Sequence, residues 1–308
     1  MRILILGAGG IGGYYGARLA AAGCDVTFLL RSGSAERIAR DGLSLSSVRG
    51  DLQLPVRVIT EAAGLGGPAD IIVLSCKAYD LDAAIAAIAP AAGPNTLVLP
   101  LLNGLRHLGQ LDQAFGRARV LGGICNISVG RAPDGTIVHY NRHDELIFGA
   151  RATAPGTVDA AAVAQVFKTA HFHSLHSADI VQDLWEKFVF IATLAGMTCA
   201  LRSDVGGIVA TAVGTQLMRD ALAECQAVAA ANGHPVRPLA DKMAERAFTE
   251  RGSRFAASML RDLQSGHGTE AEHIVGDMVA RATAAGVDHP CLRMALCHLQ
   301  VYEQALAA

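Results

Sequence analysis

Residues 3–6 form an apolar run that passes directly into Gly7-Ala8-Gly9-Gly10-Ile11-Gly12, and this junction constrains the fold more than any other feature of the chain. The run reads as a buried parallel strand, residues 12–22 as a helix and residues 25–30 as a second strand. Glycines occupy the first, third and sixth positions of the turn. Gly7 permits the tight turn, Gly9 lets backbone approach a pyrophosphate, and Gly12 lets helix and strand pack closely. The helix start offers unpaired N–H groups and the positive end of a dipole, a ready site for that anion. A G-x-G-x-x-G string alone is common in loops. Here the strand before it and the helix and strand after it supply the context of a dinucleotide-binding unit, with Gly7, Ala8, Gly9, Gly10, Ile11 and Gly12 as cofactor contacts.

The residue that ends the second strand selects the dinucleotide. An NAD-binding unit usually places an acid there, about 20 residues beyond the glycines, to hold the ribose 2′-hydroxyl. This chain places Arg31 there, followed by Ser32 and Gly33. A guanidinium suits a 2′-phosphate, which a carboxylate would repel. The expected cofactor is therefore NADP(H); the competing reading of Arg31 is a solvated arginine in a surface turn.

At 308 residues the chain exceeds one ordinary core and fits two domains. Strand candidates follow at residues 43–47, 54–59, 69–75 and 96–99, alternating with turns and an alanine-rich helix that starts at Asp80 and Asp82 and runs to residue 88. The alternation predicts a doubly wound, mainly parallel sheet. Ligands in such sheets bind beyond the carboxyl ends of strands, where Gly7, Arg31, Lys77 and Asn103 all fall. Residues 120–129 and 136–140 flank the turn sequence Ala132-Pro-Asp-Gly135, and 145–149 reads as one more strand, giving an antiparallel meander. Ala154-Pro-Gly156 breaks it, and residues 157–169 return to a helix. From about residue 180 the pattern is helical throughout. The expected domains are 1–178, a Rossmann unit binding NADP, and 179–308, a helical unit carrying substrate and catalytic groups.

A net charge of −2 gives no basic field, so nucleic acid is an unexpected partner. The seven cysteines are scattered and without a C-x-x-C pair, which fits reduced thiols in the cytoplasm. No signal peptide is expected, because the first strand begins at residue 3. The apolar stretch 188–201 is too short to span a bilayer, so no membrane association is expected. The eleven histidines form no ligand spacing, and no metal is assigned.

Two segments of the second domain hold candidate chemistry. Lys187 stands in Trp185-Glu-Lys187 at the polar start of an apolar helix; an ammonium there can donate a proton or polarise a carbonyl, or simply extend to solvent. Ser258, Arg261 and Asp262 share a helical face, and Thr269-Glu270 restarts a helix after Gly266 and Gly268; a solvated loop with a helix-starting acid reads equally well.

Taken in order, Gly7–Gly12 with Arg31, Cys76-Lys77-Ala78, Leu102-Asn103-Gly104, Trp185-x-Lys187, Ser258-Met-Leu-x-Asp262 and Thr269-Glu270 run the length of the chain. In that order the chain resembles the ketopantoate reductase (2-dehydropantoate 2-reductase) family, an N-terminal Rossmann domain followed by an all-helical one. The resemblance implies NADPH-dependent reduction of a small 2-oxo acid to the 2-hydroxy acid, 2-dehydropantoate to pantoate in pantothenate biosynthesis. It implies Lys187 as general acid and Glu270 as its ionic partner. Arg31 and Lys77 would meet the 2′-phosphate region, Asn103 the nicotinamide side and the substrate, and Ser258 the substrate. A homodimer is compatible with it.

The chain departs from the family at three points. Members active on ketopantoate carry asparagines four, eight and eighteen residues after the lysine; here those positions are Ile191, Ala195 and Val205. Lys187, Ile191 and Ala195 share one helical face, expected to be a wall of the pocket. A wall without amides loses discrimination for a hydroxyl group. Two alternatives stay open: a reductase of the same family acting on a more apolar ketone, and an NADP-binding protein that has lost turnover.

Overall fold

The computed structural model describes residues 1–152 and 159–307. Packing of the chain groups Met1–Leu102 with Leu108–Val181 as one compact unit, and Asn103–His107 with Gln182–Ala308 as a second.

In the first unit, β1 (Arg2–Leu6) leads into α1 (Gly10–Ala21) and β2 (Asp25–Leu29), followed by α2 (Ser32–Asp41), β3 (Leu43–Ser47), β4 (Leu52–Leu54), β5 (Arg57–Ile59), β6 (Ile71–Leu74), α3 (Leu81–Ile88) and β7 (Leu97–Pro100). Five of these strands form a sheet in the order β5-β2-β1-β6-β7, and every pairing is parallel. The side chains obey the period of two. Ile3, Ile5, Phe28, Val73 and Leu99 enter one core, while Leu4, Leu29, Ile72, Leu74 and Val98 enter the other. A sheet buried on both faces needs such continuous apolar runs. The doubly wound reading of the sequence holds.

A second sheet completes the unit. After α4 (Arg106–Phe115, in this unit from Leu108 onward), strands β8 (Leu121–Arg131) and β9 (Ile137–Ala150) pair antiparallel around the turn at 132–135. α5 (Ala160–Phe167) and β10 (Ser174–His176) follow, and β9 lies parallel to both β3 and β10.

Two sequence expectations change here. Residues 54–59 are not one strand: Pro55, which has no N–H to offer a ladder, separates β4, antiparallel to β3, from β5, which joins the first sheet beside β2. Residues 145–149 are not a separate strand either, but the far end of the continuous β9, so the expected meander is a hairpin flanked by parallel neighbours. The polar stretch before Glu145 stays extended because Asp144 is buried, accepting from Tyr14 Oη at 3.0 Å and from Arg49 Nη2 at 2.9 Å. The expected break at Ala154-Pro-Gly156 lies outside the described residues.

The second unit contains α6 (Ile180–Ala200, from Gln182 onward), α7 (Val205–Val209), α8 (Gly214–Ala231), α9 (Pro238–Thr249), α10 (Ser258–Gln264), α11 (Asp277–Ala285) and α12 (Pro290–Ala307). A π-helical turn, Glu272–Gly276, precedes α11. Side chains satisfy the helix starts that matter to packing. Asp204 accepts from Gly207 N at 2.8 Å at the head of α7. The buried Glu224 of α8 accepts from Cys291 N and Leu292 N, at 2.9 and 3.0 Å, at the head of α12. Among the described residues no helix is long and apolar enough to cross a membrane.

Candidate active site

The glycine turn sits at the end of β1, as its spacing predicts. Gly7 has φ +88° and donates its N–H to Leu29 O at 3.0 Å, which ties the turn to β2. Such a φ strains any residue with a Cβ. At Gly12 the restriction is contact: a Cβ would lie 2.3 Å from Ser75 Oγ and 2.6 Å from Gly7 O. A Cβ on Gly9, by contrast, would meet nothing within 4 Å. Gly9 is the N-cap of α1 and brings no capping side chain, so the helix start is left to backbone N–H groups and their dipole. A close-packed turn with an unobstructed, uncapped helix start fits a pyrophosphate.

Arg31 follows directly on the second strand region and caps α2 with its backbone extended. Its side chain is 86% exposed, and Nη2 meets Asp80 Oδ1 at 3.3 Å. Asp80 therefore does not act as a helix-starting carboxylate: it makes no cap bond to α3 and faces the guanidinium instead. Lys77 ends the segment after β6, and its carbonyl accepts from Asp80 N at 3.0 Å. Beyond the end of β2 the chain thus presents one guanidinium partly engaged by one carboxylate. Sequence reasoning did not foresee that pairing, because Arg31 and Asp80 are 49 residues apart.

The second unit holds the other candidates. Lys187 is half-buried on α6, with Nζ 5.8 Å from the Phe190 ring centroid. Its neighbours are firmly held. The buried Trp185 stacks on His234, with centroids 5.3 Å apart, and Arg281 lies 5.2 Å from the centroid of the Trp185 ring. Glu186 accepts from Arg237 N and Nε at 2.9 and 2.7 Å and from Gln182 Nε2 at 3.1 Å. Partial burial pushes the Glu186 carboxyl up, but these hydrogen bonds outweigh it and hold the group below its ordinary value.

Glu270 is buried. Thr269, just before it, is anchored to α12: its N and Oγ1 donate to Glu303 Oε1 at 2.7 and 2.5 Å. Ser258, the first residue of α10, is exposed. Asn103 and Gly104 pack in this unit as well. Gly104 has φ +82°, and a Cβ there would lie 3.2 Å from His273 O. Ala195 and Val205 are wholly enclosed, whereas Ile191 is only half-buried. Of the three positions that depart from the asparagine pattern, Ile191 alone reaches the surface.

Sequence reasoning missed one cluster. His107 and His273 are both buried, with His107 Nδ1 and His273 Nε2 3.3 Å apart. They lie 166 residues apart, and neither belongs to a recognisable spacing. A π-helical turn, of the kind often found at functional sites, carries His273.

Comparison with known proteins assigns this arrangement to a class. The family profile described as "Ketopantoate reductase PanE/ApbA" matches residues 3–153, and its C-terminal counterpart matches residues 179–303. An uncharacterized oxidoreductase of Bacillus subtilis, YkpB, is 33% identical over 303 residues, covering 98% of this chain and 99% of its own length. The crystal structure of 2-dehydropantoate 2-reductase from Geobacter metallireducens GS-15 superposes with a TM-score of 0.87 at 30% identity, covering 99% of this chain and all of that one. The ternary structure of D-mandelate dehydrogenase with NADH and anilino(oxo)acetate shares the fold over both full chains, with a TM-score of 0.88 at 20% identity.

These matches define a nicotinamide-dependent oxidoreductase acting on CH–OH groups, built from a Rossmann sheet and a helical unit. The chain belongs to the ketopantoate reductase family.

Proposed function

We propose that the chain reduces a 2-oxo acid to the 2-hydroxy acid with NADPH, 2-dehydropantoate being the first substrate to test, and with Lys187 as the proton donor. The observation that carries this reading is a half-buried ammonium on an apolar helix, in the same packed unit as the buried carboxylate Glu270. The residues divide the work by unit. Residues 1–178 supply the cofactor groups: the 7–12 turn for the pyrophosphate, and Arg31 and Lys77 for the 2′-phosphate. Residues 179–308, joined by Asn103, supply the chemistry.

The nicotinamide, when bound, supplies a hydride to C2 of the oxo acid. As that hydride arrives, negative charge grows on the carbonyl oxygen. Lys187 Nζ stabilises it and then transfers a proton to it, so the ketone gains one hydride and one proton and becomes an alcohol. Glu270 is the ionic partner of that ammonium, and Asn103 and Ser258 orient the substrate by hydrogen bonds. The reading places the protein in the cytoplasm, with a homodimer as its assembly; a ketopantoate reductase of the same fold from Staphylococcus aureus is dimeric.

A second reading concerns the substrate alone. Ile191 stands one helical turn beyond Lys187 and offers no amide to a hydroxylated ligand. D-mandelate dehydrogenase, which shares the fold, has been solved with NADH and anilino(oxo)acetate. The test is NADPH oxidation against 2-oxo acids that include 2-dehydropantoate and an analogue lacking its hydroxyl. A kcat/KM on the order of 10⁴ M⁻¹s⁻¹ or more for 2-dehydropantoate, above that of the analogue, supports the first substrate; the reverse order supports an apolar one. NADPH binding with no oxidation by any 2-oxo acid would overturn both and leave a cofactor-binding protein without turnover.

A further inference from the structure

Within the second unit, the 103–107 segment is fastened to the turn that follows Glu270. Arg106 Nη1 donates to Glu272 O at 3.4 Å. Gly104, at a positive φ, lacks the Cβ that would press on the His273 carbonyl and ring. His107 Nδ1 meets His273 Nε2 at 3.3 Å, the two rings nearly parallel at 27° with centroids 5.4 Å apart. Two imidazoles, 1% and 8% exposed, therefore close the contact.

We propose that the His107–His273 pair is a positioning device for the reaction inferred above, on which this proposal rests: it sets the Asn103 loop against the turn that follows Glu270, so that the two groups meet substrate as one unit. The chemistry of the bond limits when it can do so. A nitrogen–nitrogen hydrogen bond needs one donor and one acceptor. Two neutral rings satisfy it, and so does a singly protonated pair. A doubly protonated pair would place two N–H groups head to head between two positive charges, and the fastening would open.

The surroundings favour the competent states. Burial pushes the His273 imidazole below its ordinary value, against the attraction of Glu270 and Asp277, while Arg106 pushes it down further. The charged groups that act on it are thus Glu270, Asp277 and Arg106, with the His107 ring in direct contact. The fastening is therefore intact at neutral pH and weakens only on the acid side.

Three full-length variants test the proposal. His273→Phe keeps an aromatic ring and loses the nitrogen bond; His273→Gln keeps a donor and an acceptor that do not titrate; His107→Gln does the same from the partner side. The readouts are kcat and KM for the best 2-oxo acid across pH 5–9, the NADPH dissociation constant, and amide hydrogen exchange over residues 103–107 without substrate. His273→Phe should lower kcat by about ten- to a hundredfold, the cost of a small misplacement, with NADPH affinity nearly unchanged and faster exchange at 103–107. The glutamine variants should recover most of kcat and exchange protection, and lose the acid-side fall in rate. A folded His273→Phe protein with native kcat, pH profile and exchange would overturn the proposal, as would glutamine variants no better than phenylalanine. The exchange result decides the fastening even if no 2-oxo acid is reduced, so failure of the functional reading and failure of this proposal give different results.

Discussion

Arg31→Glu should change which dinucleotide binds far more than how tightly dinucleotides bind in general. A charge-assisted contact to a phosphate is worth about 1.5–3 kcal/mol, a factor of roughly 10 to 150 in affinity. The structure moves the expectation toward the low end: the Arg31 side chain is 86% exposed, and Asp80 Oδ1, 3.3 Å away, already engages it. Exposed pairs of this kind contribute about 0–1 kcal/mol. Breaking the pair should thus help a phosphate only slightly, and Asp80→Asn should tighten NADPH by no more than about fivefold. Replacing the guanidinium by a carboxylate beside Asp80 adds repulsion of the 2′-phosphate. The NADPH dissociation constant should then rise about tenfold or more, with NADH nearly unaffected. Fluorescence titration of both cofactors into wild type, Arg31→Glu and Asp80→Asn measures this. Equal weakening of NADPH and NADH in Arg31→Glu would show that Arg31 does not read the 2′-phosphate and is a surface arginine.

Gly12→Ala places a Cβ 2.3 Å from Ser75 Oγ and 2.6 Å from Gly7 O; the clash should cost about 1–3 kcal/mol, seen as a lower Tm together with weaker binding of both cofactors. Glu270→Ala should reduce turnover, and combining it with Lys187→Ala should cost less than the sum of the two, because the residues act as one unit. Ile191→Asn should shift kcat/KM toward 2-dehydropantoate over its deoxy analogue, and Ala195→Asn should destabilise the fold instead, since that position is wholly enclosed. The Glu186 carboxyl is held below the ordinary 4.5 by its hydrogen bonds to Arg237 and Gln182. Its contribution to stability should be present above about pH 4.5 and lost as pH falls through the lower folded value. Acid unfolding of Arg237→Ala should lack that component.

What was legible in the sequence was what local spacing encodes. The unit from β1 through β2 could be read because its strands, glycines and helix are contiguous and each needs only its neighbours. Beyond about residue 180 the helical character was legible, though not the bounds of each helix from α6 to α12. The misread elements depend on distant residues. Pro55 divides a single apolar run between two sheets, a choice that becomes visible only once β2 and β3 are in place. Asp144 looks like part of a polar turn until Tyr14 and Arg49, 130 and 95 residues away, come to its carboxylate. β10, three residues long, carries no periodic signal and exists because the β9 edge accepts it. At the candidate site the motifs named Lys187, Glu270, Asn103 and the glycine turn. They could not indicate that Asp80 faces Arg31, nor that His107 and His273 meet.

Whether Lys187 delivers the proton as a 2-oxo acid is reduced can be read from single-turnover oxidation of enzyme-bound NADPH in wild type and Lys187→Ala, with the best 2-oxo acid at saturation. In Lys187→Ala the rate should fall by about two to four orders of magnitude while the NADPH dissociation constant stays near its native value. A Lys187→Ala enzyme that oxidises NADPH at close to the native rate would contradict that role.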